Sequence, residues 1–111
     1  MNYTFKKTDN GDKTIIFEDS KYIGLQELIN TIHFYNISLE DILCKIELVQ
    51  KDKTEQEEIG SEKAMIEITK NNVEIYDLFV GLVEDEDLFP TIEISTDELK
   101  KVITDTILYF N

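Results

Sequence analysis

Hydrophobic and polar residues alternate near the start of the chain in a pattern that predicts a β-hairpin. Residues 3–8 and 13–18 flank Asn10-Gly11, and this dipeptide tolerates the positive φ values of a type I′ turn. Such a turn pairs Phe5 with Ile16. Both faces of the hairpin then carry apolar side chains, which indicates either a strand covered on both sides or an edge used by a partner.

A second alternating stretch predicts another hairpin later in the chain. Residues 64–70 and 73–79 alternate around Asn71-Asn72, where asparagine accepts a tight turn. Pro90 favours an extended conformation at Phe89. Residues 91–94 then predict one more short strand, with Ile92 and Ile94 facing inward and Glu93 outward.

Apolar residues at helical spacing predict two main helices. The first covers residues 21–36, with Asp19 or Ser20 as its cap and Asn36 as its stop, and its apolar stripe runs from Tyr22 to Tyr35. The second covers residues 96–110, where Ser95 caps the helix and Glu98 closes a capping box. Both stripes are typical of core-facing helices.

The stretch between these elements is harder to interpret. Ser38 begins a helical turn, but residues 44–50 fit either a continued helix or an alternating strand. We favour one helical turn followed by a strand. Residues 51–62 are rich in acids and hold a single apolar residue, Ile59, which indicates a solvated loop.

The element order predicts a single α+β domain over residues 1–111. We expect an antiparallel sheet of about five to six strands, built from two hairpins, with two main helices packed on one of its faces. The hydrophobic fraction of 41% supports a folded chain.

Charge narrows the range of partners. The formal net charge is -13, and nine carboxylates fall between residues 71 and 99 without a single Lys, Arg or His among them. A phosphate backbone is repelled by such a surface, so we expect no direct nucleic acid partner. A basic protein surface is the natural complement. No segment is apolar and long enough for a membrane span, and we expect a soluble, cytoplasmic protein.

Catalytic and metal-binding patterns are weak, so we expect neither an enzyme nor a cofactor. The start of a calcium loop at Asp85-x-Asp87 lacks its glycine and its final glutamate. The Glu98-Leu99-Lys100 spacing, found in many nucleases, falls on a helix turn rather than a strand. Cys44 is the one cysteine. Because it falls in the apolar strand favoured for residues 44–50, we expect its thiol to be buried and inert.

A protein-binding surface remains as the candidate site. Aromatic side chains surrounded by charged residues are typical of the energetic centre of an interface. Residues 71–99 have this composition. The other interpretation is a merely solvated acidic face with aromatic residues in the core. The candidate partner-binding residues are Glu74, Tyr76, Asp77, Glu84, Asp85, Glu86, Asp87, Phe89 and Glu93.

Three segments between Ala64 and Phe110 resemble small immunity proteins of bacterial toxin–immunity systems, including contact-dependent growth inhibition. They are the hairpin AMIEITKNNVEIYDLF, the acidic connection EDEDLFPTIEIS and the helix STDELKKVITDTILYF. The resemblance implies a cytoplasmic inhibitor that binds one cognate toxin domain, often a nuclease, and blocks its active site. The acidic surface then takes the place of the substrate's phosphate backbone.

Two other functions compete with this one. An acidic mimic of nucleic acid could disable a restriction enzyme, a repressor or a nucleic-acid-guided nuclease, and it should space its carboxylates in two rows near the duplex phosphate repeat. A regulatory or structural domain with an incidentally low pI is the third possibility.

Overall fold

The computed structural model describes residues 1–34, 36–61, 64–76, 78 and 89–111. Strands β1 (Tyr3–Lys7) and β2 (Lys13–Phe17) form a two-stranded antiparallel sheet. Strands β3 (Gln56–Ser61), β4 (Ala64–Thr69), β5 (Asn72–Tyr76) and β6 (Ile92–Ser95) form a four-stranded antiparallel sheet in that order. The helices are α1 (Ile23–Asn30), α2 (Leu39–Gln50) and α3 (Thr96–Phe110), with 3-10 turns at Ser20–Tyr22 and Ile32–Phe34. The predicted α+β class is confirmed.

One face of the four-stranded sheet carries the core. Helix α2 packs on β3 and β4, α3 packs on β5 and β6, and the two helices contact each other. The buried sheet residues alternate along their strands, as a half-covered antiparallel sheet requires; they are Ala64, Ile66, Ile68, Val73, Ile75, Ile92 and Ile94. The intervening residues form the opposite face, which we call the open face.

The last helix has the predicted bounds. The Ser95 hydroxyl accepts a hydrogen bond of 3.1 Å from the backbone N–H of Glu98, which satisfies one of the free donors at the helix start. Its buried residues follow the predicted stripe and are Thr96, Leu99, Val102, Ile103 and Thr106. A strong cap and a regular apolar stripe therefore determine this element locally.

The strand favoured for residues 44–50 is wrong, because α2 continues to Gln50. Ser38 and Asp41 form a reciprocal capping box with bonds of 3.1 and 2.9 Å, which commits the chain to a helix. The buried side chains then fall at helical spacing, at Leu39, Ile42, Ile46 and Val49. Cys44 lies on the outer side of this helix and is exposed, so the expectation of a buried thiol is wrong as well.

The solvated loop predicted for residues 51–62 is also partly wrong, since Gln56–Ser61 is the edge strand β3. Ile59 packs against the core and lies opposite Ile66 in the ladder. Carboxylates are depleted in most strands, but on an edge strand they prevent pairing with other chains. That use of acidic residues makes β3 look like a loop in the sequence.

The first hairpin forms, but its register differs by one residue from the prediction. Phe5 lies opposite Ile15 rather than Ile16. The turn is Asp9-Asn10-Gly11 with Gly11 at φ +85°, a three-residue loop closed by a glycine bulge. Because a one-residue slip moves a side chain to the other face, Ile15 is buried while Ile16 is 36% exposed. The hairpin therefore has one apolar face instead of two.

The second hairpin is confirmed, with its turn one residue earlier than predicted. Ile68 lies opposite Val73, so the loop is Lys70-Asn71. The Thr69 hydroxyl donates a 3.0 Å bond to the Asn72 carbonyl and helps to close this turn. The short strand after Pro90 is also confirmed, at Ile92–Ser95.

The first helix is shorter than predicted because its end serves the hairpin. The Asn30 side chain accepts from the Ile15 N–H and donates to the Ile15 carbonyl, each at 2.9 Å. Gln26 accepts from the Phe17 N–H at 2.9 Å. These amides take the place of a neighbouring strand along the outer edge of β2. The α-helical conformation ends at Asn30 rather than at Asn36.

A polar contact holds the hairpin on α3. The Tyr3 hydroxyl donates a 2.5 Å bond to Asp105, and Lys101 donates to the same carboxylate at 3.0 Å. The Tyr3 bond, and then Lys101, lower the pKa of Asp105. Burial, and then the bond to Asp105, raise the pKa of Tyr3. The Phe5 and Tyr109 rings stack at 4.6 Å beside this contact.

We expect Tyr3→Phe to lower the free energy of unfolding by about 1 kcal/mol near neutral pH, because one hydrogen bond to a carboxylate is lost. The contribution of Asp105 is present above the unfolded pKa of aspartate and is lost as pH falls through its lower folded pKa. The contribution of Tyr3 is present below the unfolded pKa of tyrosine and is lost as pH rises through its higher folded pKa. Urea unfolding measured over a range of pH tests the loss of stability at low pH and the loss at high pH.

The control for this substitution is Tyr109→Phe, which removes a hydroxyl from the neighbouring ring. An NMR titration of Asp105 should show a higher pKa in Tyr3→Phe and an unchanged one in Tyr109→Phe. The same Asp105 pKa in both variants would mean that Tyr3 does not contact this carboxylate.

Candidate protein-binding face

The strand register places four glutamates in one row across the open face. Glu58 lies opposite Glu67, Glu67 opposite Glu74, and Glu74 opposite Glu93. We call Glu58, Glu67, Glu74 and Glu93 the glutamate row. Neighbouring strands lie about 4.8 Å apart, so the row extends about 14 Å perpendicular to the strands.

The glutamates of the row are mostly exposed to solvent, and each lies opposite a like charge. Glu58, Glu74 and Glu93 are exposed and Glu67 is half-buried. Like charges directly opposite each other destabilise a sheet, and the row holds three such pairs in succession. The Gln56 amide donates a hydrogen bond to Glu67, which gives one carboxylate a neutral partner. The described ion pairs do not include any of the four.

Residues beside the row are uncharged. On one side the ladder brings together Gln56, Thr69, Asn72 and Ser95. On the other side Met65 lies opposite Tyr76, and both side chains are half-buried. The described strand residues of this face therefore present a strip of negative charge with a neutral polar border and an apolar, aromatic border.

Several acids elsewhere have an evident structural role. Glu57, on the helix side of β3, binds Lys45 of α2 at 2.9 Å. The Lys45 ammonium lowers the pKa of Glu57, and the carboxylate raises the pKa of Lys45. Asp97 accepts a 2.8 Å bond from Gln50 and so links α3 to α2. The glutamate row differs from these carboxylates because each member lies opposite another glutamate on a neighbouring strand.

The structure brings three of the predicted partner-binding residues together. Glu74, Glu93 and Tyr76 share the open face. Phe89 is half-buried and packs against the core, which is a structural role. Asp77 and residues 84–87 (Glu84, Asp85, Glu86 and Asp87) lie outside the described residues.

Sequence reasoning missed two members of the row. The acidic composition of residues 51–62 predicts a loop around Glu58, and alternation predicts no more than an outward position for Glu67. The outward positions of β4 are readable from the sequence, but the alignment of glutamates between strands depends on register. The turn predicted at Asn71-Asn72 pairs Glu67 with Tyr76, whereas the structure pairs Glu67 with Glu74.

The described residues contain no group of three or more His, Cys, Asp and Glu side chains that could hold a metal ion. A cleft of about 640 Å³ lies beside Met1, Asn2 and the 3-10 turn at Ser20–Tyr22. The open face, which carries the glutamate row, is the candidate site within the described residues.

Two further observations concern membrane-spanning helices and similarity to known proteins. No helix in the described residues has both the length and the apolar composition needed to cross a bilayer. Compared with known proteins, the chain matches no family model, no curated protein and no solved structure.

Proposed function

We propose that this chain is an immunity protein, a non-catalytic inhibitor that acts in the cytoplasm. Its open face binds a basic surface of a cognate toxin domain, most simply a nuclease, and neutralises that domain. The glutamate row supplies the charge complementary to a surface built to hold a nucleic acid backbone.

The observation that carries this proposal is the unfavourable arrangement of the row. Three like-charge pairs in register lower stability by about 0.2–1 kcal/mol each, and any one glutamate could be replaced without loss of a core contact. Departures from local rules of stability are expected at functional sites in natural proteins. A partner that brings lysines or arginines to the row converts this repulsion into binding energy.

The borders of the row support an inhibitor of one partner over a general mimic of duplex nucleic acid. A mimic should carry two rows of carboxylates, whereas the described strands present a single row between uncharged borders. Met65 and Tyr76 add apolar contact area beside the charge, which is typical of a specific protein interface.

Capture of the native partner tests the proposal. The wild type, immobilised, is exposed to an extract of cells that express its genomic neighbours, and the captured protein is assayed for nuclease activity. We expect the wild type to inhibit that activity stoichiometrically. Glu74→Gln with Glu93→Gln should bind the same partner about tenfold more weakly or worse, with a flatter dependence on salt.

The matched control removes two charges away from the open face, with Glu18→Gln and Glu40→Gln. Both glutamates are exposed, so the control has the same net charge as the test variant. Equal affinity of the two variants, or a captured protein without nuclease activity, would contradict the proposal.

A further inference from the structure

The N-terminal hairpin has one strand edge satisfied by side chains and one edge open. Along the outer edge of β2, Asn30 binds both polar backbone groups of Ile15, and Gln26 binds the N–H of Phe17. Ile15 and Phe17 therefore point their backbone groups away from β1. Their partners in the ladder, Phe5 and Tyr3, must likewise point theirs away from β2.

Hydrogen bonds at the other positions confirm this alternation. The Glu18 N–H donates to the Asn2 carbonyl at 3.0 Å, and the Thr8 N–H donates to the Asp12 carbonyl at 2.8 Å. Even-numbered residues of β1 thus face β2. Tyr3, Phe5 and Lys7 direct their N–H and C=O groups outward, and no bond from these groups to another element occurs among the described residues. An open edge of this kind can accept another strand.

Charge selects the strand that could pair there. Strand β1 carries two lysines and no acidic residue, although the chain has a net charge of -13. Lys6 and Lys7 are both exposed. A second copy of β1 would bring these lysines near their equivalents and be repelled. An acidic strand would be attracted.

The two faces of β1 define the pattern of that strand. Tyr3 and Phe5 lie on the inner face, among the rings of Phe17 and Tyr109. Thr4 and Lys6 lie on the outer face and are exposed. Side chains of an added strand would extend these faces alternately, so apolar residues fit the first face and acidic residues fit the second.

We propose that the open edge of β1 binds an extended acidic segment of another protein, in which apolar and acidic residues alternate. The segment pairs with the backbone of Tyr3, Phe5 and Lys7 and places its carboxylates near Lys6. This site is separate from the glutamate row and favours the opposite charge. The molecule therefore has two binding surfaces that favour partners of opposite charge.

A short capped peptide in which isoleucine and glutamate alternate is the probe. Amide hydrogen exchange of the full chain, followed by NMR, should show fast exchange at Tyr3, Phe5 and Lys7 in the free protein and slow exchange with the peptide. The amides of Thr4 and Lys6 should be protected in both states, because they already bind β2. Absence of protection at millimolar peptide would overturn the proposal.

Two controls separate strand pairing from simple charge attraction. The same peptide methylated on alternate backbone nitrogens, at the groups that would face β1, should not bind; equal binding would contradict strand pairing. Lys6→Glu should weaken binding about fivefold, whereas Lys53→Glu makes the same charge change in the loop after α2 and should leave it unchanged. Equal affinity of both variants, or equal binding of an isoleucine–lysine peptide, would contradict the charge preference.

Discussion

Ile15→Ala should lower the free energy of unfolding by about 2–5 kcal/mol, whereas Ile16→Ala should lower it by less than about 1 kcal/mol. The two residues are adjacent and chemically identical, but Ile15 is fully buried and Ile16 is 36% exposed. Truncation of Ile15 leaves a cavity beneath the hairpin, while truncation of Ile16 mostly exchanges one surface group for another. Urea unfolding of both variants at neutral pH provides the measurement.

This pair of variants also decides the hairpin register. An Asn10-Gly11 two-residue turn would place Ile16, and not Ile15, on the same face as Phe5. A larger loss of stability for Ile16→Ala than for Ile15→Ala would therefore mean that the chain pairs as that turn requires. The observed glycine bulge predicts the larger loss of stability for Ile15→Ala.

Reversal of alternate charges in the glutamate row should strengthen the fold and abolish partner binding. Glu67→Lys with Glu93→Lys makes the charges along the row alternate in sign, so all three neighbouring pairs turn from like to opposite charge. Each such pair contributes about 0.2–1 kcal/mol, and we expect the free energy of unfolding to rise by about 1 kcal/mol in total. Affinity for a basic partner should fall about a thousandfold or more, since attraction is replaced by repulsion at two positions.

Chemical unfolding and titration calorimetry with the captured partner test the two effects separately. Glu18→Lys with Glu40→Lys is the control, because it changes the net charge equally away from the sheet. We expect this control to lose only the general electrostatic attraction and to gain no stability. A stability loss in the row variant would show that the glutamates do not repel one another across the strands, and unchanged affinity would remove the open face as the binding surface.

Elements with strong local signals were predictable from the sequence. Helix α3 begins at its Ser95 cap and keeps its apolar stripe through Thr106, so cap and periodicity agree. The second hairpin was recognisable because β4 and β5 alternate strictly. In both cases the local pattern and the tertiary contacts favour the same structure.

The errors have identifiable physical causes. Asn10-Gly11 suits two turn geometries that differ by one residue, and packing of Ile15 under the hairpin decides between them. Residues 44–50 fit both a helical pattern and an alternating strand pattern, since Ile46 is an apolar position in each. Burial of Ile42 and Val49 favours the helix. Strand β3 was not predicted because its acidic residues, which prevent an edge strand from pairing with other chains, are also typical of a loop.

The candidate site depends on information that a single strand does not contain. An outward glutamate in β4 and another in β5 are each ordinary solvent-exposed positions when taken alone. Their alignment across four strands has Glu58 and Glu93 at its ends. It depends on the β4–β5 turn, which the sequence pattern misplaced by one residue, and on strand β3, which the pattern predicted as a loop. The position of charge along a strand is therefore easier to predict than its position across a sheet.

The contact between Tyr3 and Asp105 has a consequence for synthesis of the chain. The two residues are 102 positions apart, and at a translation rate of about 5–20 residues per second the ribosome needs about 5–20 seconds to pass from one to the other. Throughout that interval the first strand lacks the helix on which its aromatic residues pack. The nascent hairpin thus presents Tyr3 and Phe5 to chaperones and to other nascent chains until α3 emerges.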